Sequence, residues 1–210
     1  MNAERVPLDL MPPEALRRRA VVVAIGGVIL AAAIGGVIGL VGGRWPGLIA
    51  AAVVGIPLLL LAFGEARRRT WLADGVVSVR QYGVRRVDLR HLTKIELLIT
   101  EVRGTRVVGL LMSGPPKGKT INLAVASYTA TAGRELGIVA LRRLADALAG
   151  GEDPSGLVYS ELLVAQLRAE AREAGGAERP LFRIASLAPG GRLAQRLLPE
   201  AVTRFVATLD

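Results

Sequence analysis

The residues with the clearest chemical potential in this chain are Ser113-Gly114-Pro115-Pro116-Lys117-Gly118-Lys119-Thr120, which depart from the phosphate loop G-x-x-x-x-G-K-[ST] only at its first glycine. Such a loop aims successive backbone N–H groups at phosphate oxygens and then opens a helix whose N-terminus receives the charge. Pro115 and Pro116 have no N–H to offer, and Ile121 to Val125 alternates like a strand where that helix should start. No apolar strand ending in a metal-binding Asp follows. The stretch therefore reads as a basic loop joining two strands. His91 has no Ser or Asp at nucleophile spacing, and Asp88, Glu96 and Glu101 are scattered among basic residues as solvated positions. With no Cys and a single His, disulfides, Cys-ligated metals and multi-His centres are excluded. The sequence holds no catalytic constellation, so the expectation is a non-enzymatic chain without cofactor or metal.

The elements that must position these residues follow from where the apolar side chains lie. The chain has 210 residues, 51% of them hydrophobic, yet carries 27 Lys+Arg against 18 Asp+Glu, a net charge of +9. That hydrophobicity excludes disorder. From Ala20 to Val41 run 22 residues without a polar side chain, about 33 Å of helix and enough to cross a bilayer. Leu48 to Phe63 adds 16 more, and Trp45, Pro46, Gly47 and Gly64 extend it at the interface. A cleavable signal peptide competes for the first stretch, but 22 residues exceed the usual apolar region and a second stretch follows. Arg17, Arg18 and Arg19 precede the first helix and Arg67, Arg68 and Arg69 follow the second, whereas the link Gly42 to Gly47 holds only Arg44. The positive-inside rule then puts both termini in the cytoplasm, with Trp45 at headgroup depth on the far side.

Within the hairpin, Gly27, Ala31, Gly35, Gly39 and Gly43 recur every four residues, and Gly47, Ala51 and Gly55 form a shorter ridge. Small residues let backbones approach where lipid gives no hydrophobic drive. Two readings stand: the ridges pack together inside one hairpin, or the first helix forms a homo-dimer through Gly35-x-x-x-Gly39. Neither span contains an ionisable residue, which leaves a transporter or channel no side chains to work with.

Beyond Glu65 the pattern turns to short strands. Val76–Gln81 and Val84–Leu89 read as a hairpin with Gly83 supplying a positive φ. Lys94–Thr100, Thr105–Met112 and Thr120–Ala126 follow, the last with Ile121, Leu123 and Val125 on one face, and Arg103-Gly104 marks a turn. Leu136, Val139, Ala140, Leu144 and Leu148 then switch to helical spacing, ending at Gly150-Gly151. Five or six strands closed by one helix imply an antiparallel α+β arrangement.

Two apolar helices, an arginine cluster, then Leu72-Ala73-Asp74-Gly75-Val76-Val77-Ser78-Val79 leading to Arg86-Val87-Asp88-Leu89-Arg90-His91-Leu92-Thr93-Lys94-Ile95 resembles bacterial, especially actinobacterial, membrane proteins with a pleckstrin-homology-like (PH-like) domain. The resemblance covers roughly residues 17 to 150 and implies a seven-stranded bent sheet with a C-terminal helix plugging one end. It implies no enzymatic activity and assigns no ligand residues. The chain is thus divided into a cytoplasmic N-terminal segment (1–16), a transmembrane hairpin (17–69), a PH-like domain (70–150) and a partly helical tail (151–210). A preference for Arg over Lys and many Ala and Gly point to a bacterial genome rich in G and C, hence to the cytoplasmic (inner) membrane.

Charge partitions along the same divisions: +2 in residues 1–64, +8 in 65–150 and −1 in 151–210. Such a bias beside a bilayer suits an anionic leaflet, with Arg67, Arg68, Arg69, Lys117 and Lys119 as candidate lipid contacts. Nucleic acid is not an expected partner, because no recognition motif or aromatic stacking platform accompanies the charge. In the tail, Leu157–Ala174 reads as an amphipathic helix, Glu178–Ser186 as extended, and Val202, Phe205, Val206 and Leu209 as a short helix begun by Pro199. Residues 157–209 either dock on the domain's own sheet or offer a surface to a protein partner. For the near-phosphate loop the outcome is concrete: Lys119→Ala leaves the melting temperature unchanged within about 1 °C, and isothermal titration of wild type or variant with magnesium-ATP gives no heat of binding.

Overall fold

The structure, a computed structural model, describes residues 4–116, 118–130, 132–188 and 194–209. It is an α+β chain in which two long apolar helices precede antiparallel sheets and C-terminal helices. Contacts divide it into a helical unit, Met11–Arg68 with Arg80–Gly83, and a sheet unit made of residues up to Leu10, Arg69–Val79 and everything from Val84 on.

In the helical unit, α1 spans Pro13–Gly42 and α2 spans Arg44–Arg67, so the link is the single residue Gly43 at φ 90°. Both helices are long and apolar enough to cross a membrane. At 30 and 24 residues they extend about 45 and 36 Å, against about 30 Å of hydrocarbon. The small residues make the seam between them. A Cβ on Gly35 would stand 2.6 Å from the Ala51 Cβ, and one on Gly47 would stand 2.6 Å from the Gly35 carbonyl oxygen, so neither position admits a side chain. Gly27 faces Leu58, Ala31 faces Gly55 and Gly39 faces Gly47, in one constant antiparallel register. Gly43, the last of the sequence series, has open space around it and makes the turn instead of the seam.

The sheet unit starts with β1 (Val6–Pro7), which pairs antiparallel with β2 (Arg69–Ala73) at Val6↔Leu72 and Pro7↔Trp71. The Leu8 N–H donates to the Thr70 carbonyl at 2.9 Å, and the Thr70 N–H donates to Asp9 Oδ1 at 3.0 Å. With β3 (Val76–Arg80) and β4 (Val84–Asp88) these strands form a four-stranded sheet in chain order. The β2–β3 turn is Asp74-Gly75, at φ 50° and 77°, the paired positive φ of a two-residue hairpin turn. Arg103-Gly104 does the same at 51° and 75°. Gly83 corrects the sequence expectation, since its φ is not positive: three residues, Gln81, Tyr82 and Gly83, separate β3 from β4 in place of a two-residue turn.

The second sheet has the order β8-β7-β6-β5-β9, built from β5 (Lys94–Val102), β6 (Thr105–Gly114), β7 (Lys119–Thr129), β8 (Ala132–Glu135) and β9 (Ala194–Leu197). Ile95, Leu97 and Ile99 of β5, Val108, Leu110 and Met112 of β6, and Ile121, Leu123 and Val125 of β7 are all buried, as their alternation requires. Against them lie Leu141, Leu144 and Leu148 of α3 (Ile138–Ala149) and Tyr159, Leu162 and Leu163 of α4 (Pro154–Ala171). Asp153 caps α4, its carboxylate accepting from the Ser155 N–H at 3.0 Å.

Within Glu178–Ser186, where an extended segment was expected, Pro180–Ser186 is helical and only Arg179 before it is extended. Pro180 fits the first helical position, and Leu181, Ile184 and Ala185 then share one buried face of α5 (Pro180–Ser186). β9 pairs with β5 at Leu97↔Leu197, and Val202 of α6 (Pro199–Val206) enters the same core. A single carboxylate ties this segment down. Glu135 accepts from the Tyr128 hydroxyl at 2.6 Å, from Gln166 Nε2 at 2.7 Å and from Arg179 Nη1 at 2.7 Å, while Arg179 also pairs with Glu170 at 2.6 Å. Burial and the bond to Glu135 push the Tyr128 pKa up, so the hydroxyl stays a donor. Burial works against the charge on Arg179, but Glu135 and Glu170 outweigh it and its pKa is raised.

Leu8 is the side chain that plugs β1 into the core, at 1% exposure. Leu8→Ala destabilises the sheet unit by about 2–4 kcal/mol, read as a lowered unfolding midpoint of the full-length protein in nanodiscs, whereas Arg5→Ala costs under about 1 kcal/mol.

Candidate membrane-surface site

The end of the helical unit that carries both chain entries gathers the arginines. Continuing the seam register outward from Gly27 and Leu58 brings Arg18 level with Arg68, so Arg17, Arg18 and Arg19 of α1 and Arg67 and Arg68 of α2 crown one end of the hairpin. The other end carries Arg44 and a largely exposed Trp45. The Arg67 guanidinium lies 4.2 Å over the Phe63 ring, one turn back on α2, which holds the charge at the edge of the apolar span. Arg68 leaves the helix in an extended conformation, its N–H donating to the Glu65 carbonyl at 3.2 Å.

Arg80–Gly83 belongs to this same unit, and Tyr82 explains why. Its hydroxyl donates to the Leu60 carbonyl of α2 at 2.6 Å, using the second lone pair of an oxygen already engaged in the helix. Gly64, one turn on, leaves the space the ring occupies: a Cβ there would collide with the Tyr82 hydroxyl and ring. Tyr82 and Phe63 therefore mark two aromatic positions where the apolar span ends, and Arg80, two residues before Tyr82, falls in the same unit. Among the described residues, none of Arg17, Arg18, Arg19, Arg67, Arg68 and Arg80 is within ion-pair distance of a carboxylate. Guanidinium groups clustered beside aromatic side chains at the end of an apolar helix are the composition found where membrane helices meet headgroups.

Arg69 opens β2 in the sheet unit and is exposed, as are Arg85 and Arg86 on the edge strand β4. Lys119 is not brought to them. It opens β7, opposite Gly114, at the end of the loop whose Pro115 carbonyl accepts from the Asp88 N–H at 3.2 Å. Asp88 ends β4, and the Leu89 N–H donates to the Gly75 carbonyl at 2.9 Å, so Lys119 lies at the Asp74-Gly75 end of the first sheet. Arg69 begins the strand at the opposite end, about 13 Å away along five residues of β2. Lys117 falls outside the described residues.

The near-phosphate loop is a hairpin connection. Ser113 pairs with Thr120 across β6 and β7, their hydroxyls 2.8 Å apart, and Lys119-Thr120 continues into a strand where a phosphate loop would open a helix. His91 Nδ1 stands 3.1 Å from Glu152, both side chains exposed, with no nucleophile between them. Among the described residues no three His, Cys, Asp or Glu side chains gather as a metal site. Sequence reasoning missed Arg80, Tyr82 and Gly64, whose contact crosses from a strand connection to a helix 22 positions earlier. Comparison of the chain with protein-family models, curated proteins and solved structures finds no match.

Tyr82→Phe removes one hydroxyl bond and costs about 1 kcal/mol of stability. Gly64→Leu expels the ring and speeds tryptic cleavage after Arg80 at least several-fold. Limited proteolysis in nanodiscs, with Tyr82→Phe as the milder comparison, measures both.

Proposed function

We propose that the chain is a bacterial inner-membrane protein whose hairpin crosses the bilayer twice and holds a cytoplasmic PH-like domain, a binding or scaffolding module without catalysis that contacts anionic lipid through its arginine collar. The observation that carries this reading is the pairing of β1 with β2. Val6 precedes α1 and Leu72 follows α2, so their hydrogen-bonded strands require an even number of crossings, and two helices of spanning length supply it. The unpaired arginines at the same end as both chain entries agree with the cytoplasmic side, where Lys and Arg accumulate.

The PH-like assignment is supported by element order. Seven strands, β2 to β8, run consecutively into α3, in two antiparallel meanders, as in the family the sequence resembles. Lipid contact is supported by the uncompensated charge, each guanidinium near an anionic leaflet contributing about 1 kcal/mol before screening. A second reading, an accessory subunit docking on a partner membrane complex through residues 157–209, is favoured by Leu157, Leu187 and Leu198, three large apolar side chains left exposed in that segment.

A reporter fused after Gly150 is active only in the cytoplasm, and a periplasmic signal defeats the topology. Full-length protein extracted in native nanodiscs carries phosphatidylglycerol above its bulk fraction, read by lipid mass spectrometry. Replacing Arg67, Arg68 and Arg69 by Ser reduces that enrichment, by up to about 3 kcal/mol in headgroup preference, and added salt does the same. Equal anionic and neutral lipid in both samples sinks the lipid role and leaves protein binding.

A further inference from the structure

The second reading places a partner on the C-terminal segment without saying where, and the groove between α5 and α6 answers that. Its volume is about 630 Å³, it is open along one side, and its apolar lining includes Phe182, Leu187, Ala201 and Phe205. Phe205 is almost covered, at 8% exposure, while Leu187 stands at the rim at 62%. An open trough of this kind takes an anchoring side chain or two rather than enclosing a small molecule.

Two cations edge it, Arg183 and Arg204. The Arg183 guanidinium lies 5.7 Å over the Phe205 ring, and Arg204 Nε donates to the Glu200 carbonyl at 3.4 Å. Neither reaches a carboxylate among the described residues. In the same segment Arg179 takes Glu135 and Glu170, and Arg196 takes Glu96 at 3.7 Å, so Arg183 and Arg204 are the two groove-lining arginines left without a carboxylate among the described residues. Stacked or backbone-held guanidinium groups keep fixed positions with their remaining donors free, and a carboxylate is the group that satisfies them in pairs. Aromatic rings and arginines around an apolar trough are also the composition of the energetic centre of a protein interface.

We propose that this groove docks a segment of a partner protein in which an aliphatic or aromatic side chain is flanked by Asp or Glu, the anchor filling the trough and the carboxylates meeting Arg183 and Arg204. The proposal rests on the second reading above and is independent of lipid binding by the arginine collar.

The test is photocrosslinking in intact cells with p-benzoylphenylalanine at Leu187 of the full-length protein, with the same probe at exposed Val102 as control. The expected result is one protein adduct specific to position 187, mapped by mass spectrometry to a segment with a carboxylate within about four residues of the crosslink. Arg183→Glu with Arg204→Glu lowers adduct yield at least ten-fold, while thermal midpoint and membrane fractionation stay unchanged because both side chains are exposed. Reversing the partner's acidic residues to Arg restores the yield with the Glu variant. Adducts to a second copy of this chain, to lipid alone or to nothing overturn the proposal, as does a yield indifferent to charge reversal. Loss of membrane fractionation with the adduct intact would instead remove the membrane reading and leave the groove standing.

Discussion

Two residues of backbone pairing, Val6 with Leu72 and Pro7 with Trp71, decide what the remainder of this molecule can be. They bind a segment lying before the apolar helices to the strand that follows them, so the sheet unit is discontinuous in sequence and the hairpin is an insertion within it. Val6 and Leu8 are buried in a core whose remaining members begin at Leu72, and Asp9 secures the Thr70 N–H. Entry and exit of the hairpin are thereby fixed to one sheet, and the single-residue turn at Gly43 leaves the two helices no alternative to lying side by side. Once side by side, their backbones must come close, and the glycines at 35 and 47 are what permits it.

The second sheet has its own dependency. Glu135 sits at the end of a four-residue strand and collects donors from β7, from α4 and from the approach to α5. Gln166 passes the connection on, its Oε1 accepting from the Leu181 N–H at 3.0 Å. A nearly buried carboxylate with three donors is well satisfied, whereas removing any donor leaves a desolvated charge short of partners. The position of α5, and with it one wall of the arginine-edged groove, follows from that junction.

Much of this was legible in the chain itself. The two apolar runs, the four-residue spacing of small residues, the alternation in Ile121, Leu123 and Val125 and the helical spacing from Leu136 to Leu148 are local patterns, and local patterns are what a sequence displays. β1 has two residues and β9 has four with no buried large side chain of its own, so neither has enough periodicity to be read. β2 was hidden because it starts at Arg69, inside a cluster that reads as a topogenic signal. In α5, Glu178 and Pro180 suggested an extended stretch, and only packing of Leu181 and Ile184 in the common core makes it helical. The arginine collar was half legible: the triplets are visible, while Arg80 joins them only through Tyr82, a contact that depends on Gly64 having no side chain.

The split sheet also sets an order of events in synthesis. Asp9 and Thr70 are 61 positions apart, which at about 5–20 residues per second places roughly 3–12 s between the emergence of the first strand and that of its partner. Within that interval both apolar helices are made. β1 therefore waits for its partner until the hairpin has been made, and its sheet cannot close before then. A chain whose two helices have not come together keeps an unpaired β2 edge and an empty Leu8 site, so the unfinished fold exposes a strand edge that the finished one covers.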